Sequence, residues 1–394
     1  MLQPAKNYYH LLQAIRAVRK YKNPSNDLTI IGVTGTDGKT TTSSLIYHIL
    51  RRAGYKTALI STVAAYIEDK KYDTGFHVST PESLTLQSYI AKAKKAGVTH
   101  IVLEVTSHAL DQYRVYGISF AIGVLTNISH EHLDYHKTME NYMLSKAKLL
   151  ERSSVAILNR DDDSYTFMLN RLKNKKVVSY GLGANADSNL TNHPFKTQLP
   201  GKFNQQNILA ALTVADILEI DPQKAASAVS SFKLPEGRIE VVYDKDFKVV
   251  IDFAHTPNAI KNILETFKSD VSLGRIIHVF GSAGQRDKSK RPLMGEISRK
   301  LSDIIILTSE DPRGESPEKI AEDIKSGMKG NVQNLFFEAD RQQAINLAIH
   351  MAKKGDIVII TGKGHEKSMN FGHGEAAWSD QDAVKKALEN RTRQ

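Results

Sequence analysis

The segment that most narrows the fold is Leu28-Thr-Ile-Ile-Gly-Val33 followed at once by Thr34-Gly-Thr-Asp-Gly-Lys-Thr-Thr-Thr42. The first half is an apolar run that reads as a buried strand, and a helical pattern begins near Lys39. Gly35, Thr36, Asp37 and Gly38 must therefore turn the chain sharply, which glycine permits while letting backbone N–H groups approach an anion. A strand, glycine turn and helix in this order suit a phosphate: Lys39 supplies a point charge and Thr40 a hydroxyl for magnesium, with Thr41 beside them. The full G-x-x-x-x-G-K-[ST] pattern is not met, because Val33 stands where the first glycine belongs. The competing reading is an ordinary glycine-rich turn.

From Leu28 onward, strand-like runs at 28–33, 57–61, 100–105 and 121–126 alternate with helical ones at 40–52, 82–96 and 138–151. Such alternation implies a mainly parallel sheet covered by helices. Residues 207–232 read as helix until Lys233-Leu-Pro-Glu-Gly237 interrupts them. Beyond it, strands near 247–252, 275–280, 303–307 and 356–360 alternate with helices near 257–267, 292–301, 316–327 and 340–353. The expected class is α/β, a P-loop-type domain over 27–235 and a Rossmann-like domain over 236–394, preceded by an amphipathic helix and linker over 1–26.

The chain of 394 residues has a formal net charge of +10. Its basic residues are scattered, without a Lys/Arg block, so nucleic acid is not an expected partner. Absence of cysteine excludes disulfides, thiolate zinc sites and cysteine nucleophiles. No signal-peptide pattern and no bilayer-length apolar window occur, so a cytoplasmic location is expected; a monomer is the separate expectation for its assembly. Residues 7–21 have apolar groups at helical spacing with Arg16, Arg19 and Lys20 among them; this suits a helix packed on the next domain, with interfacial membrane contact as the lesser alternative.

Two further features suit a magnesium–nucleotide site. Glu104 ends the apolar strand Ile101-Val-Leu103, where open α/β sheets place their ligands. The run His130-Glu-His-Leu-Asp-Tyr-His136 offers hard ligands, against a plain reading as solvated loop.

These motifs together, with Glu104-Val-Thr-Ser-His-Ala-Leu110, Thr126-Asn-Ile-Ser-His-Glu-His-Leu-Asp-Tyr-His136, Leu199-Pro-Gly-Lys-Phe-Asn-Gln-Gln-Asn207, Glu236-Gly-Arg238, Asp252-Phe-Ala-His-Thr-Pro257, Arg286-Asp-Lys-Ser-Lys-Arg-Pro-Leu-Met-Gly295 and Gly362-Lys-Gly-His-Glu366, resemble the Mur ligases, in particular the MurE type. The resemblance runs from about residue 27 to the end. It implies an ATP- and Mg²⁺-dependent ligase of peptidoglycan synthesis that activates a carboxylate as an acyl phosphate and couples it to an amino acid. Lys39 then corresponds to the phosphate lysine, and Thr40, Glu104 and His132 to magnesium ligands. Asn207, Arg238 and Asp252 join Gly35 to Thr41 as ATP contacts. Lys146 matches a lysine that is carbamylated in the family and holds a second Mg²⁺, with Lys148 as the competing position. Ser79, Thr80, Thr106, Gln112 and Arg114 match contacts to a muramoyl-peptide acceptor, while Arg291, Asp311, Pro312, Arg313, Gly362 and Glu366 match those to the incoming amino acid.

Two departures matter. Residues 1–26 are far too few for the N-terminal uridine-binding domain of MurE-type ligases, which opens the acceptor to forms with UDP, a lipid or neither. Glu310-Asp-Pro-Arg313 replaces the Asp-Asn-Pro-Arg of diaminopimelate-adding members; Arg313 favours diaminopimelate, whereas the added charge of Asp311 equally suits a dibasic amino acid. The rival readings are a folylpolyglutamate-synthetase-like ligase and a non-catalytic nucleotide-binding subunit.

Overall fold

The structure is a computed structural model that describes residues 3–68, 70–72, 79–270, 272–330 and 333–392, with side chains from Lys6 onward. The chain divides into two compact units, Met1–Ser129 with Thr138–Pro235, and His130–Lys137 with Glu236–Gln394.

Among the described residues the strands of the first unit are β1 (Thr29–Thr34), β2 (Thr57–Ile60), β3 (Ala65–Ile67), β4 (Lys70–Tyr72), β5 (His100–Glu104), β6 (Phe120–Leu125), β7 (Ser153–Asn159) and β8 (Lys176–Tyr180). They form one sheet in the order β4-β3-β2-β5-β1-β6-β7-β8, parallel except for the antiparallel extension through β3 and β4. In the second unit β9 (Glu240–Asp244), β10 (Lys248–Asp252), β11 (Ile276–Phe280), β12 (Ile304–Leu307), β13 (Leu335–Phe337) and β14 (Ile357–Thr361) pair in the order β13-β12-β11-β14-β10-β9. Only β9 is antiparallel there, and β15 (Ser368–Asn370) with β16 (Glu375–Ala377) makes a separate hairpin.

The helices are α1 (Gln3–Tyr21), α2 (Lys39–Arg52), α3 (Ser83–Lys95), α4 (Ser107–Asp111), α5 (Leu133–His136), α6 (Met139–Arg152), α7 (Tyr165–Arg171), α8 (Lys202–Ile217), α9 (Pro222–Ser231), α10 (Pro257–Lys268), α11 (Lys290–Leu301), α12 (Pro317–Lys325), α13 (Arg341–Met351) and α14 (Asp380–Thr392). The expected helix over 207–232 is two helices, because Glu219 takes a left-handed φ of 55° and Asp221 caps the Lys224 N–H just before Pro222.

Period-two alternation along β1 explains the two faces. Ile31 and Val33 join Leu45, Ile46 and Ile49 of α2 and Ile208 and Val214 of α8, whereas Ile30 joins Leu86 and Ile90 of α3 and Leu149 of α6. Gly32 sits on the α6 side, where a Cβ would lie 2.7 Å from Leu149 and 2.8 Å from Phe120. The glycine one residue before the motif position therefore serves helix packing, and Val33 fills the opposite core. No helix of the described residues is long and apolar enough to cross a membrane.

In the second unit β11 carries a buried histidine. His278 meets Ser298 Oγ at 2.8 Å and Thr361 Oγ1 at 3.0 Å, and stacks on Phe280. Burial pushes its pKa down to about 3, so the fold keeps the ring neutral where an unfolded chain takes up a proton near 6.5. Stability from this group is complete above pH 6.5 and is lost as pH falls from there toward 3. Between about pH 7.5 and 5 it accounts for roughly 2 kcal/mol. Denaturant midpoints across that range are expected to fall in the parent protein and to fall less in His278→Gln.

Candidate functional site

The turn after β1 is built by close backbone approach. Gly35 has φ 149° and a Cβ there would lie 1.8 Å from Thr126 Oγ1, while Gly38 has φ 78° and would meet Asn207 Oδ1 at 2.5 Å. Thr126 Oγ1 donates to Asp37 O at 2.6 Å, Asn127 Nδ2 donates to the same oxygen at 3.1 Å, and Thr36 N donates to Asn127 O at 2.8 Å. Asp37 N is received by Asn127 Oδ1. Lys39 Nζ donates to Thr36 O at 2.7 Å, which folds the ammonium back over the loop.

The first turn of α2 is Lys-Thr-Thr-Thr, and its three threonines are β-branched, indifferent helix formers. Their hydroxyls explain two of them. Thr42 Oγ1 donates to Asn207 Oδ1 at 3.1 Å, and Thr40 Oγ1 reaches Glu104 Oε2 at 3.1 Å; Thr41 is buried beside them. Parallel register places Glu104 opposite Val33, so the carboxylate stands at the mouth of the loop. It also accepts from Thr62 N at 3.0 Å and Thr62 Oγ1 at 2.8 Å. A hydroxyl and a carboxylate are the hard donors Mg²⁺ prefers, its shell being completed by water and phosphate oxygens.

Behind Glu104 lies the expected acceptor segment. Thr80 Oγ1 donates to Glu104 O at 2.9 Å and accepts from Thr106 N at 3.1 Å; Ser79 precedes it, half-buried. Arg114 bonds Thr80 O at 2.9 Å, Gln112 Oε1 at 2.6 Å and Glu82 at 2.9 Å. On the other side of the loop, Lys146 is 1% exposed, donates to Gly35 O at 2.6 Å and lies 4.4 Å from the centre of the Tyr142 ring. Lys148 instead pairs with Asp111 at 3.0 Å.

His132 belongs with the second unit. There His130 meets Ser289 Oγ at 2.8 Å, Leu133 N donates to Asp287 at 3.0 Å, and Lys290 pairs with Glu131 at 3.0 Å. Thr40 and Glu104 are thus brought together within one unit while His132 falls in the other. Among the described residues no three His, Cys, Asp or Glu side chains converge on one metal position.

The remaining residues stand at the C-terminal ends of the parallel strands of the second unit, where such sheets place ligands. Asp252 accepts from Ile239 N at 2.8 Å and Ala254 N at 2.7 Å, and the Arg238 guanidinium lies 4.5 Å from the centre of the Phe253 ring. After β12, Asp311 pairs with Lys363 at 2.8 Å and Arg313 at 3.3 Å and accepts from Asn370 N at 3.0 Å. Lys363 also pairs with Glu366 at 2.5 Å, and Pro312 O sits where Gly284 has room only for hydrogen. Asp311, Pro312, Arg313 and Glu366 are therefore one cluster, with Gly362 beside Glu310.

Arg291 is not presented to that cluster. Its guanidinium is fully buried and bonds Glu315 at 3.1 Å, Asp323 at 2.7 Å and Ala283 O at 3.2 Å. A cation outside the expected set is Arg286, whose side chain is exposed; desolvation and then the Arg313 charge lower its pKa, while Asp134, Glu131 and Asp311 act to raise it. The signal was present, since both arginines lie in one motif, but only burial separates them.

Glu310 is buried, its Oε2 has no hydrogen-bond partner, and a Cβ on Gly362 would lie 2.9 Å from that oxygen. Burial pushes its pKa up to about 7. A raised carboxyl pKa gives stability that is present below the unfolded value near 4.5 and lost as pH rises through 7. Glu310→Gln is expected to exceed the parent in stability by roughly 3 kcal/mol at about pH 8 and to converge with it below about pH 4.5, as read from urea midpoints.

Residues 33–215 match the Mur ligase middle domain and residues 237–364 the Mur ligase glutamate ligase domain. The chain is 42% identical over 388 residues to the UDP-N-acetylmuramoyl-L-alanyl-D-glutamate–2,6-diaminopimelate ligase of Aquifex aeolicus, covering 93% of this chain and 79% of the relative. A solved ligase of the same description is 33% identical, with a TM-score of 0.61 over 93% of this chain and 80% of that one. Mycobacterium tuberculosis folylpolyglutamate synthase, 16% identical with a TM-score of 0.70 over 90% and 93%, shares the fold. A phosphate turn braced by Thr126 and Asn127, its Thr40–Glu104 pair and these likenesses agree: the chain belongs to the Mur ligase family of ATP-dependent ligases.

Proposed function

We propose that the protein couples an amino acid of the diaminopimelate kind to the terminal carboxylate of a muramoyl-peptide acceptor. In the reaction a carboxylate oxygen takes the terminal phosphoryl group of ATP, releasing ADP. The amine then attacks the acyl carbon, forming the C–N bond as phosphate leaves with the electron pair of the C–O bond. Lys39 and the N–H groups at the start of α2, just beyond the Gly35–Gly38 turn, hold the phosphates in orientation and balance their charge. Thr40 and Glu104 would hold Mg²⁺, which supplies charge neutralisation at the phosphoryl group. Thr80, Thr106, Gln112 and Arg114 are suited to the acceptor carboxylates.

We assign Lys146 the carbamylated role. Its Nζ is buried and 2.6 Å from the Gly35 carbonyl, so a carbamate there would set two oxygen acceptors side by side and call for a cation between them. That supports a second Mg²⁺ at this place.

The observation that carries the choice of amino acid is the state of Asp311. An added carboxylate in this motif favours a dibasic amino acid only if it is open to a second ammonium. Asp311 is 3% exposed and is already engaged by Lys363, Arg313 and Asn370 N. The Arg286 and Arg313 guanidiniums then favour a ligand with a second carboxylate.

The test is phosphate release from ATP and Mg²⁺, with muramoyl dipeptides bearing or lacking UDP, screened against diaminopimelate, lysine and glutamate. Acceptor-dependent release with diaminopimelate is expected. Release that no acceptor and amino acid pair stimulates would overturn the ligase reading, and a preference for lysine would overturn the choice of amino acid. Lys39→Ala should lower kcat/KM at least a hundredfold, and Arg313→Ala should raise KM for diaminopimelate at least tenfold with KM for ATP little changed.

A further inference from the structure

Helix α1 is held to its unit by small side chains. Ala14 and Ala17 are buried, Val18 packs where Gly117 has no Cβ, and Asn7 Nδ2 donates to Asp111 Oδ2 at 2.9 Å. The opposite side is uncovered. Tyr8, Tyr9 and Leu12 are 64%, 57% and 39% exposed, three large apolar side chains within two turns. Arg16, Arg19 and Lys20 continue that same face toward the helix C-terminus, all exposed, because steps of three and four residues return to one side of a helix. The helix contains no aspartate or glutamate at all.

A helix that had only to shield the core would carry mixed polar groups outward. This one carries aromatic and aliphatic groups at one end and cations at the other, with no acidic residue to offset them. That pairing of chemistries suits the boundary of an anionic bilayer, where tyrosine rings sit at headgroup depth, leucine reaches the acyl boundary and arginine and lysine meet lipid phosphates. A nucleic acid would use the cations but has no use for Leu12. A second copy of the chain would use the apolar groups but would bring like charges together, since the whole chain is at +10.

We infer that the outer face of α1, through Tyr8, Tyr9, Leu12, Arg16, Arg19 and Lys20, docks the protein reversibly on an anionic lipid surface. The inference does not depend on the proposed reaction.

The experiment is co-sedimentation of the full chain with vesicles of phosphatidylcholine alone and of phosphatidylcholine with phosphatidylglycerol, at low and high salt. Binding to the phosphatidylglycerol vesicles that weakens with salt is expected. Each cation near an anionic surface contributes about a fivefold factor in partition, so Arg16→Gln, Arg19→Gln and Lys20→Gln together should weaken binding about a hundredfold. Tyr8→Ser, Tyr9→Ser and Leu12→Ser should also release the protein, with thermal unfolding of both triple variants near that of the parent because the side chains are exposed. No binding to phosphatidylglycerol vesicles, or binding that neither triple variant weakens, would overturn the inference. So would concentration-dependent dimerisation, read by sedimentation velocity and abolished by the Tyr8, Tyr9 and Leu12 changes.

Discussion

The nucleotide half of this chemistry depends on one contact, the approach of the Gly35 backbone to Thr126, too close for any Cβ. Parallel register sets it up, because β1 lies between β5 and β6 with Thr34 level with Leu125 and Val33 level with Glu104. The chain leaves β1 toward β2 on one side, whereas it leaves β6 toward β7 on the other. The crevice between β1 and β6 is therefore a topological switch point, and the turn opens into it. Thr126 and Asn127 fix the carbonyl and amide of Asp37, so the turn and the helix start that follows it are held in shape before a phosphate arrives. Preorganisation of that kind is what makes fixed dipoles effective in catalysis.

The second unit relies on buried charge instead of close backbone contact. Arg341 and Asp380 are both fully buried, and Arg341 also donates to Ser309 O and Thr361 O. Buried pairs of this sort contribute little net stability, since desolvation offsets most of their attraction. What Arg341 does is fix the two strand ends from which Glu310 and Gly362 project. Lys363, also fully buried, then ties Asp311 to Glu366. A ligand reaching this cluster meets side chains whose rotamers are already decided.

Much of this was legible in the sequence because it is local. Apolar period and glycine position sufficed for β1 and α2, and the ends of most longer elements fall within a residue or two of the reading. The short edge strands β3 and β4 were not legible, since three-residue strands such as Lys70-Lys71-Tyr72 have no period to detect. Nor was the allegiance of residues 130–137, whose partners Asp287, Ser289 and Lys290 lie more than a hundred and fifty residues away in sequence. Arg291 and Arg286 show the same limit at the site. Two arginines five residues apart are equivalent in a pattern, and only the carboxylates of Glu315 and Asp323, brought in by the fold, turn one of them inward.

That difference bears on what the second unit recognises. The Arg313 charge adds to desolvation in lowering the Arg286 pKa, while Asp134, Glu131 and Asp311 act in the opposite sense. Asp311 also holds Lys363 and Arg313 together, and Glu315 holds Arg291, Lys288 and the Gln285 amide. In the proposed reaction an amino acid with a neutral side chain would bring no further anion to these guanidiniums, and lysine would bring a cation. A second carboxylate would gain bidentate hydrogen bonds from a planar guanidinium. Asp311 in place of asparagine, which in the bare motif argues for a cationic ligand, in the folded protein balances Lys363, and that supports the diacid proposed above.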